Sequence, residues 1–161
     1  MQRCSVPCGN ALAATALLRL GKLTGRTDYL DAARRTLAAA ASLMEKLPMA
    51  TGQMLLALDL LIGPTPEIVL LGDLDSPDMK TVLADLHRRY IPNKVAARGA
   101  DPLPVPASSG LSGLFAGKPA LSPPPTLYIC ENFACQSAVS GTVAIAEKLD
   151  DLSGLQNRVQ L

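Results

Sequence analysis

The spacing of apolar residues changes period along the chain, and the changes divide it. From about Asn10 to Thr24, Leu12, Ala16, Leu20 and Leu23 fall at helical spacing, which predicts a helix with one apolar stripe facing a neighbour. Gly25 supplies a left-handed stop, and Thr27 with Asp28 restarts the chain as a cap. Leu30, Ala33, Leu37, Ala41, Met44 and Leu47 then recur at threes and fours until Pro48 ends the run. So short a connection makes these two helices pack antiparallel. A third helical pattern, from about Thr51 to Leu61, carries Leu55, Leu56, Leu58, Leu60 and Leu61 around most of its circumference and predicts cover on several sides.

Beyond Pro64 and Pro66 the period shortens. Glu67 to Gly72 is a brief, β-branched, apolar run between turn residues, the signature of a strand covered on both faces. Ser76-Pro77-Asp78 is a strong helix start, with Met79, Val82, Leu83, Leu86 and Tyr90 as its apolar stripe and Pro92 as its stop. Asn93 to Ala97 reads as a second strand, joined to the first by a parallel crossover. From Arg98 to Pro125 periodicity disappears and seven of the thirteen prolines collect, so the segment reads as a long surface connection pinned by Leu111, Leu114 and Phe115. A third strand follows from about Thr126 to Ile129, then a loop bounded by Cys130 and Cys135, then an amphipathic helix from about Thr142 to Leu149. The expected fold class is α+β: a helical hairpin region over residues 1–63 and a small three-stranded, mostly parallel α/β unit over 64–150, with the Pro-rich loop at 98–125 and a patternless tail at 151–161.

Composition narrows the function classes. Hydrophobic residues make up 48% of the 161 and charged residues 18%, with Ala and Leu prominent, which suits helices. Aromatics are 3% with no Trp, which disfavours aromatic stacking on sugars or single-stranded nucleic acid. A net charge of +1 without like-charge runs gives no electrostatic reason to expect nucleic acid or an anionic membrane as partner, and His87-Arg88-Arg89 reads as a solvated helix end. The apolar run Ala11 to Leu18 is broken by Arg19 and Lys22 and has no cleavage site after it, and no stretch reaches the ~20 apolar residues of a membrane span. The expected location is cytoplasmic, where four cysteines argue for reduced thiols or a metal rather than a disulfide framework.

The chemically pointed residues are few. Four residues separate Cys130 from Cys135, whereas a thioredoxin-type pair has two, so that motif is excluded. A loop of this size can close a disulfide or offer two thiolates to zinc, and Cys4 with Cys8 would complete a four-thiolate set, although without the compact knuckle spacing. The plainest reading is structural thiols behaving as small hydrophobes. No cofactor is indicated besides that zinc candidate at Cys130 and Cys135. Asp73 and Asp75 stand where a parallel sheet opens to ligands, but two carboxylates repel a phosphate, so Asp73 reads as a loop cap. His87 lacks a second imidazole or a nucleophile nearby in the sequence, and Asp28, Asp31 and Glu45 fall on helix surfaces with no pocket for sugar hydrolysis. Catalytic residues are not identifiable.

Four segments nevertheless line up in order with one family: Pro7-Cys8-Gly9-Asn10, Glu67 to Asp73, Arg89-Tyr90-Ile91-Pro92-Asn93-Lys94-Val95, and Tyr128-Ile129-Cys130-Glu131-Asn132-Phe133-Ala134-Cys135. Over residues 5–150 the chain resembles the C-terminal part of the spermatogenesis-associated protein 20-like, thioredoxin domain-containing proteins. The resemblance implies an N-terminal thioredoxin-like domain, an (α/α) toroid similar to N-acylglucosamine 2-epimerases and other six-hairpin sugar enzymes, and a terminal α/β segment. This chain would supply the last hairpins and that segment, as a non-catalytic structural cover for the toroid. Its partners would be the rest of the toroid, or a second copy through helices 10–61, with a carbohydrate ligand for the full-length family. Alternatives are a carbohydrate-active, epimerase-like protein, which would cluster His, Glu and Trp in a cavity, or a thiol redox or zinc-binding module. Cys8 stands where relatives usually have serine, and Ser140-Gly141-Thr142 replaces an Asp-Pro helix opening, so Cys8 is not expected to be catalytic.

Overall fold

The computed structural model describes residues 8–100, 110–132 and 134–158. Cys4, Phe133, the centre of the Pro-rich loop and the last three residues lie outside the described residues.

Helix α1 (Gly9–Thr24) ends on Gly25 at φ 70°, a left-handed position that glycine adopts at no steric cost. Helix α2 (Thr27–Lys46) starts one residue earlier than a Thr27 cap implies. Arg26 occupies the cap position without a side-chain cap bond, and its guanidinium instead pairs with Asp28 and stacks on Tyr29. After a 3-10 turn at Pro48–Ala50 comes α3 (Gly52–Ile62). The three helices enclose one core built from Ala14, Leu18, Ala33, Leu37, Ala57 and Leu60 among others. Gly21 permits the close approach of α1 and α2: a Cβ there would lie 2.6 Å from Leu30 Cδ2.

The stripe assigned to α1 is corrected by the structure. Ala11, Ala14, Leu18, Gly21 and Lys22 are the buried positions, whereas Leu12 and Leu20 are 48% and 46% exposed. The helix is apolar on two sides, and the side with small residues wins the interior because alanine lets α1 approach α2 and α3 closely.

Strands β1 (Glu67–Leu71) and β2 (Val95–Gly99) are parallel and joined by α4 (Pro77–Arg88), as the sequence implies. Ser76 caps α4 by accepting the Met79 N–H at 3.1 Å. The second strand starts later than expected because Asn93 sits in a turn and donates to Asp59 Oδ2 at 2.6 Å. Tyr90 lies past the end of α4 and is exposed. One helical turn, α5 (Ser112–Phe115), buries Leu114 and Phe115 and so pins the long connection.

The α+β class holds, but the sheet is mixed rather than mostly parallel. Strand β3 (Thr126–Glu131) runs antiparallel to β1, and the short β4 (Ala134–Cys135) and β5 (Val139–Ser140) both run antiparallel to β3. The sheet order is β2-β1-β3-β4. A parallel third strand would need a crossover that returns the chain to the other end of the sheet. The chain re-enters the sheet at the end it left, with Thr126 opposite Leu71 and Leu71 opposite Gly99. Helix α6 (Thr142–Arg158) runs well beyond the expected stop at Leu149, because Leu152 extends the apolar stripe of Ile145 and Leu149 onto the sheet.

The two sheet faces have separate covers. Ile68, Leu70, Leu127 and Ile129 pack on α4 and α6. Val69, Leu71 and Tyr128 pack with Leu114 and Phe115 of α5 and with Leu23 at the end of α1.

Candidate functional site

Strand register builds a row of chemically active side chains. Glu67 of β1 stands opposite Cys130 of β3, and Cys130 opposite Cys135 of β4, so the three share one sheet face. The turn between β3 and β4 is closed by Asn132 in the left-handed region at φ 49°, which asparagine tolerates better than most residues.

Cys130 and Cys135 are joined as a disulfide, which overturns the expectation of reduced thiols. A tight turn that sets two cysteines face to face on adjacent strands brings their sulfurs within bonding reach whatever the compartment. The pair is asymmetric: Cys130 is 2% exposed, while Cys135 is on the surface. Zinc coordination by Cys130 and Cys135 would require both sulfurs as thiolates, and here each is bonded to the other. Cys8, the third cysteine described, is free and exposed. Among the described residues no group of three or more His, Cys, Asp or Glu side chains is placed to hold a metal.

Beside the disulfide lies a buried ion pair that neither composition nor motif revealed. Lys22 Nζ is 3.3 Å from Glu67 Oε1, with the two side chains 9% and 1% exposed, and 3.5 Å from Asn132 Oδ1. Lys118 follows α5 and donates to the Leu114 carbonyl at 2.7 Å. Burial pushes its ammonium below the usual lysine value, while the charge of Glu67 acts in the opposite direction. Lys22, Glu67, Lys118, Cys130 and Cys135 together line a cavity of about 120 Å³ where the helical layer meets the sheet. Signals for the ion pair are present in the chain: Lys22 continues the Ala11, Ala14, Leu18 spacing, and Glu67 opens a strand that is otherwise wholly apolar.

The remaining candidate residues lie in turns and on helix surfaces. Asp73 Oδ1 accepts the Asp75 N–H at 3.0 Å and its carbonyl accepts the Ser76 hydroxyl, so it closes a turn before α4. Asp28 pairs with Arg26 and Asp31 with Arg34 on open helix surface, and His87 and Glu45 are exposed. The basic cluster is divided: Arg88 pairs with Asp85 at the surface, but Arg89 crosses to α6, where it donates to Asp150 Oδ1 at 2.8 Å and to the Ala146 carbonyl at 3.2 Å. A wider, open cavity of about 420 Å³ lies at the start of α6, next to Pro123, Pro124 and the Ser140-Gly141-Thr142 segment. No helix among the described residues is long and apolar enough to cross a membrane.

A three-helix layer on a small mixed sheet, with a disulfide and a buried ion pair at their junction, defines an α+β module. Homologues of this chain are named spermatogenesis-associated protein 20. It is 33% identical to the human protein, 34% to the rat protein and 31% to the mouse protein, in each case over 134 residues that make up 83% of this chain and 17% of the relative. The chain therefore corresponds to a minor part of the length of the curated relatives it matches. No family model matches it, and no solved structure does.

Proposed function

We propose that the chain is a non-catalytic structural module of a spermatogenesis-associated protein 20-like protein, in which its helical layer covers further helices of an (α/α) toroid in the same polypeptide. The observation that carries this reading is the outer surface of that layer. Leu12, Leu20, Leu43, Leu47, Leu56 and Ile62 are 40–74% exposed, and Met49 is 98% exposed. Seven of the eleven exposed large hydrophobic residues among those described belong to this layer; such apolar surface suits an interaction site, and helices with a second apolar side suit a neighbouring helical layer. The small match to relatives several times longer is consistent with such a neighbour.

The test is light scattering of the purified chain over a rising concentration series. Without its partner helices the chain is expected to self-associate, and the triple variant Leu12→Ser/Leu20→Ser/Leu56→Ser to remain monomeric with unchanged circular dichroism. A strictly monomeric parent chain at high concentration, or specific turnover of a sugar by the chain alone, contradicts the reading.

A further inference from the structure

We propose that Cys130–Cys135 is a thiol–disulfide exchange site, entered at Cys135 by a dithiol reductant and using Cys130 as the leaving thiolate. The proposal rests on three features of the site and is independent of what the helical layer covers.

The first is access. Exchange proceeds by in-line attack of a thiolate on one sulfur, and which sulfur is attacked is decided by exposure and by the stability of the departing thiolate. Cys135 stands on the outermost strand of the sheet and is exposed, whereas Cys130 lies one strand in and is 2% exposed. An external thiolate therefore meets Cys135 first.

The second is charge. The departing electron pair settles on Cys130, which lines the same cavity as Lys22, Lys118 and Glu67. The wall thus carries two positive charges against one negative, and nearby ammonium groups favour a thiolate. The Lys22–Glu67 contact holds one of these cations in place.

The third is register. Cys130 stays directly opposite Cys135 after the bond opens, held by the β3–β4 ladder. With a monothiol, the Cys130 thiolate attacks the mixed disulfide on Cys135 and expels the monothiol again. A dithiol escapes this reversal. Its first sulfur bonds to Cys135 as the Cys130–Cys135 bond breaks; its second sulfur then attacks the first, forming the reductant's own disulfide and releasing Cys135. Two electrons pass from the dithiol to the protein, and both cysteines end protonated from the two thiols that were consumed.

The experiment uses the full chain with Cys4→Ser and Cys8→Ser, oxidised with glutathione disulfide and followed by alkylation and peptide mass spectrometry under native conditions. Dithiothreitol is expected to free both cysteines, and reduced glutathione at equal thiol concentration to react at least ~10-fold less completely, with any trapped adduct on Cys135. Lys118→Gln is the informative variant because the side chain is half-buried and its loss is expected to leave the circular dichroism spectrum unchanged; it is expected to slow reduction by dithiothreitol about 3- to 10-fold. The proposal is overturned if the adduct maps to Cys130, if the bond is reduced only in denaturant, or if Lys118→Gln reacts at the parental rate. One zinc ion bound per reduced chain with exchange abolished would also overturn it, in favour of a metal site.

Discussion

Lys22 and Glu67 show how a single pair fastens two layers. Both come from segments whose other inward residues are apolar, and both are removed from water, so their contact compensates part of the cost of burying each charge. Removing one partner of a buried pair typically costs about 3–5 kcal/mol, whereas exposed pairs contribute about 0–1 kcal/mol. Lys22→Met is therefore expected to destabilise the chain by about 3 kcal/mol, the low end, because Lys118 faces the same cavity and offsets part of the stranded charge. Lys22→Met/Glu67→Leu should recover much of that loss. Asp31→Ala, which breaks a pair with side chains 57% and 55% exposed, should cost no more than about 0.5 kcal/mol. Urea unfolding of the four proteins decides it, and equal losses for Lys22→Met and Asp31→Ala would remove the pair from any role at the junction. This pair was legible in outline only: the spacing that buries Lys22 is in the sequence, but its partner lies 45 residues away and is brought near by the docking of α1 on the sheet.

Helices α4 and α6 are joined by Arg89, which follows α4 and reaches Asp150 of α6. The helix start at Ser76 and the strand at Glu67 are local matters of capping and apolar period, and the sequence shows them. The direction of β3 and the length of α6 are settled by tertiary contacts. The sequence pattern stops at Leu149, yet Leu152 finds the core and Arg89 holds Asp150. The Arg89 hydrogen bond, more than its charge alone, depresses the Asp150 carboxyl below the ordinary carboxylate range. A carboxylate with a lower value in the folded state contributes stability that is complete above its unfolded value and lost as pH falls through the folded one. Asp150→Asn is accordingly expected to lower stability at neutral pH by a small, measurable amount and to converge with the parent chain at acid pH. Thermal melts over an acid series would show this, and parallel curves with no convergence would exclude Asp150 as a titrating contributor. Asp28 is depressed in the same way by Arg26 and titrates in both proteins, so the difference between them isolates Asp150.

For the molecule as a whole, the arrangement of cores matters more than the inventory of elements. The helical layer has a core of its own and meets the sheet at the end of α1, through Lys22 and Leu23. Helix α2 shares the core of its helical neighbours and presents Leu43 to solvent, with Leu47 exposed just past its end, whereas β1 is buried along its full length between β2 and β3. Local opening is easiest where few buried contacts must be broken. Native-state hydrogen exchange should therefore find the amides of Val69 and Ile129 exchanging only through global unfolding. Those of α2 near Leu37 should exchange through a smaller opening, with less sensitivity to denaturant. If the helical layer docks on further helices, adding those helices should raise protection in α2 and leave β1 unchanged. Equal protection of α2 and β1 in the isolated chain would mean that the two cores already fold as one unit, and that the exposed leucines contribute nothing to the cooperativity of the longer protein.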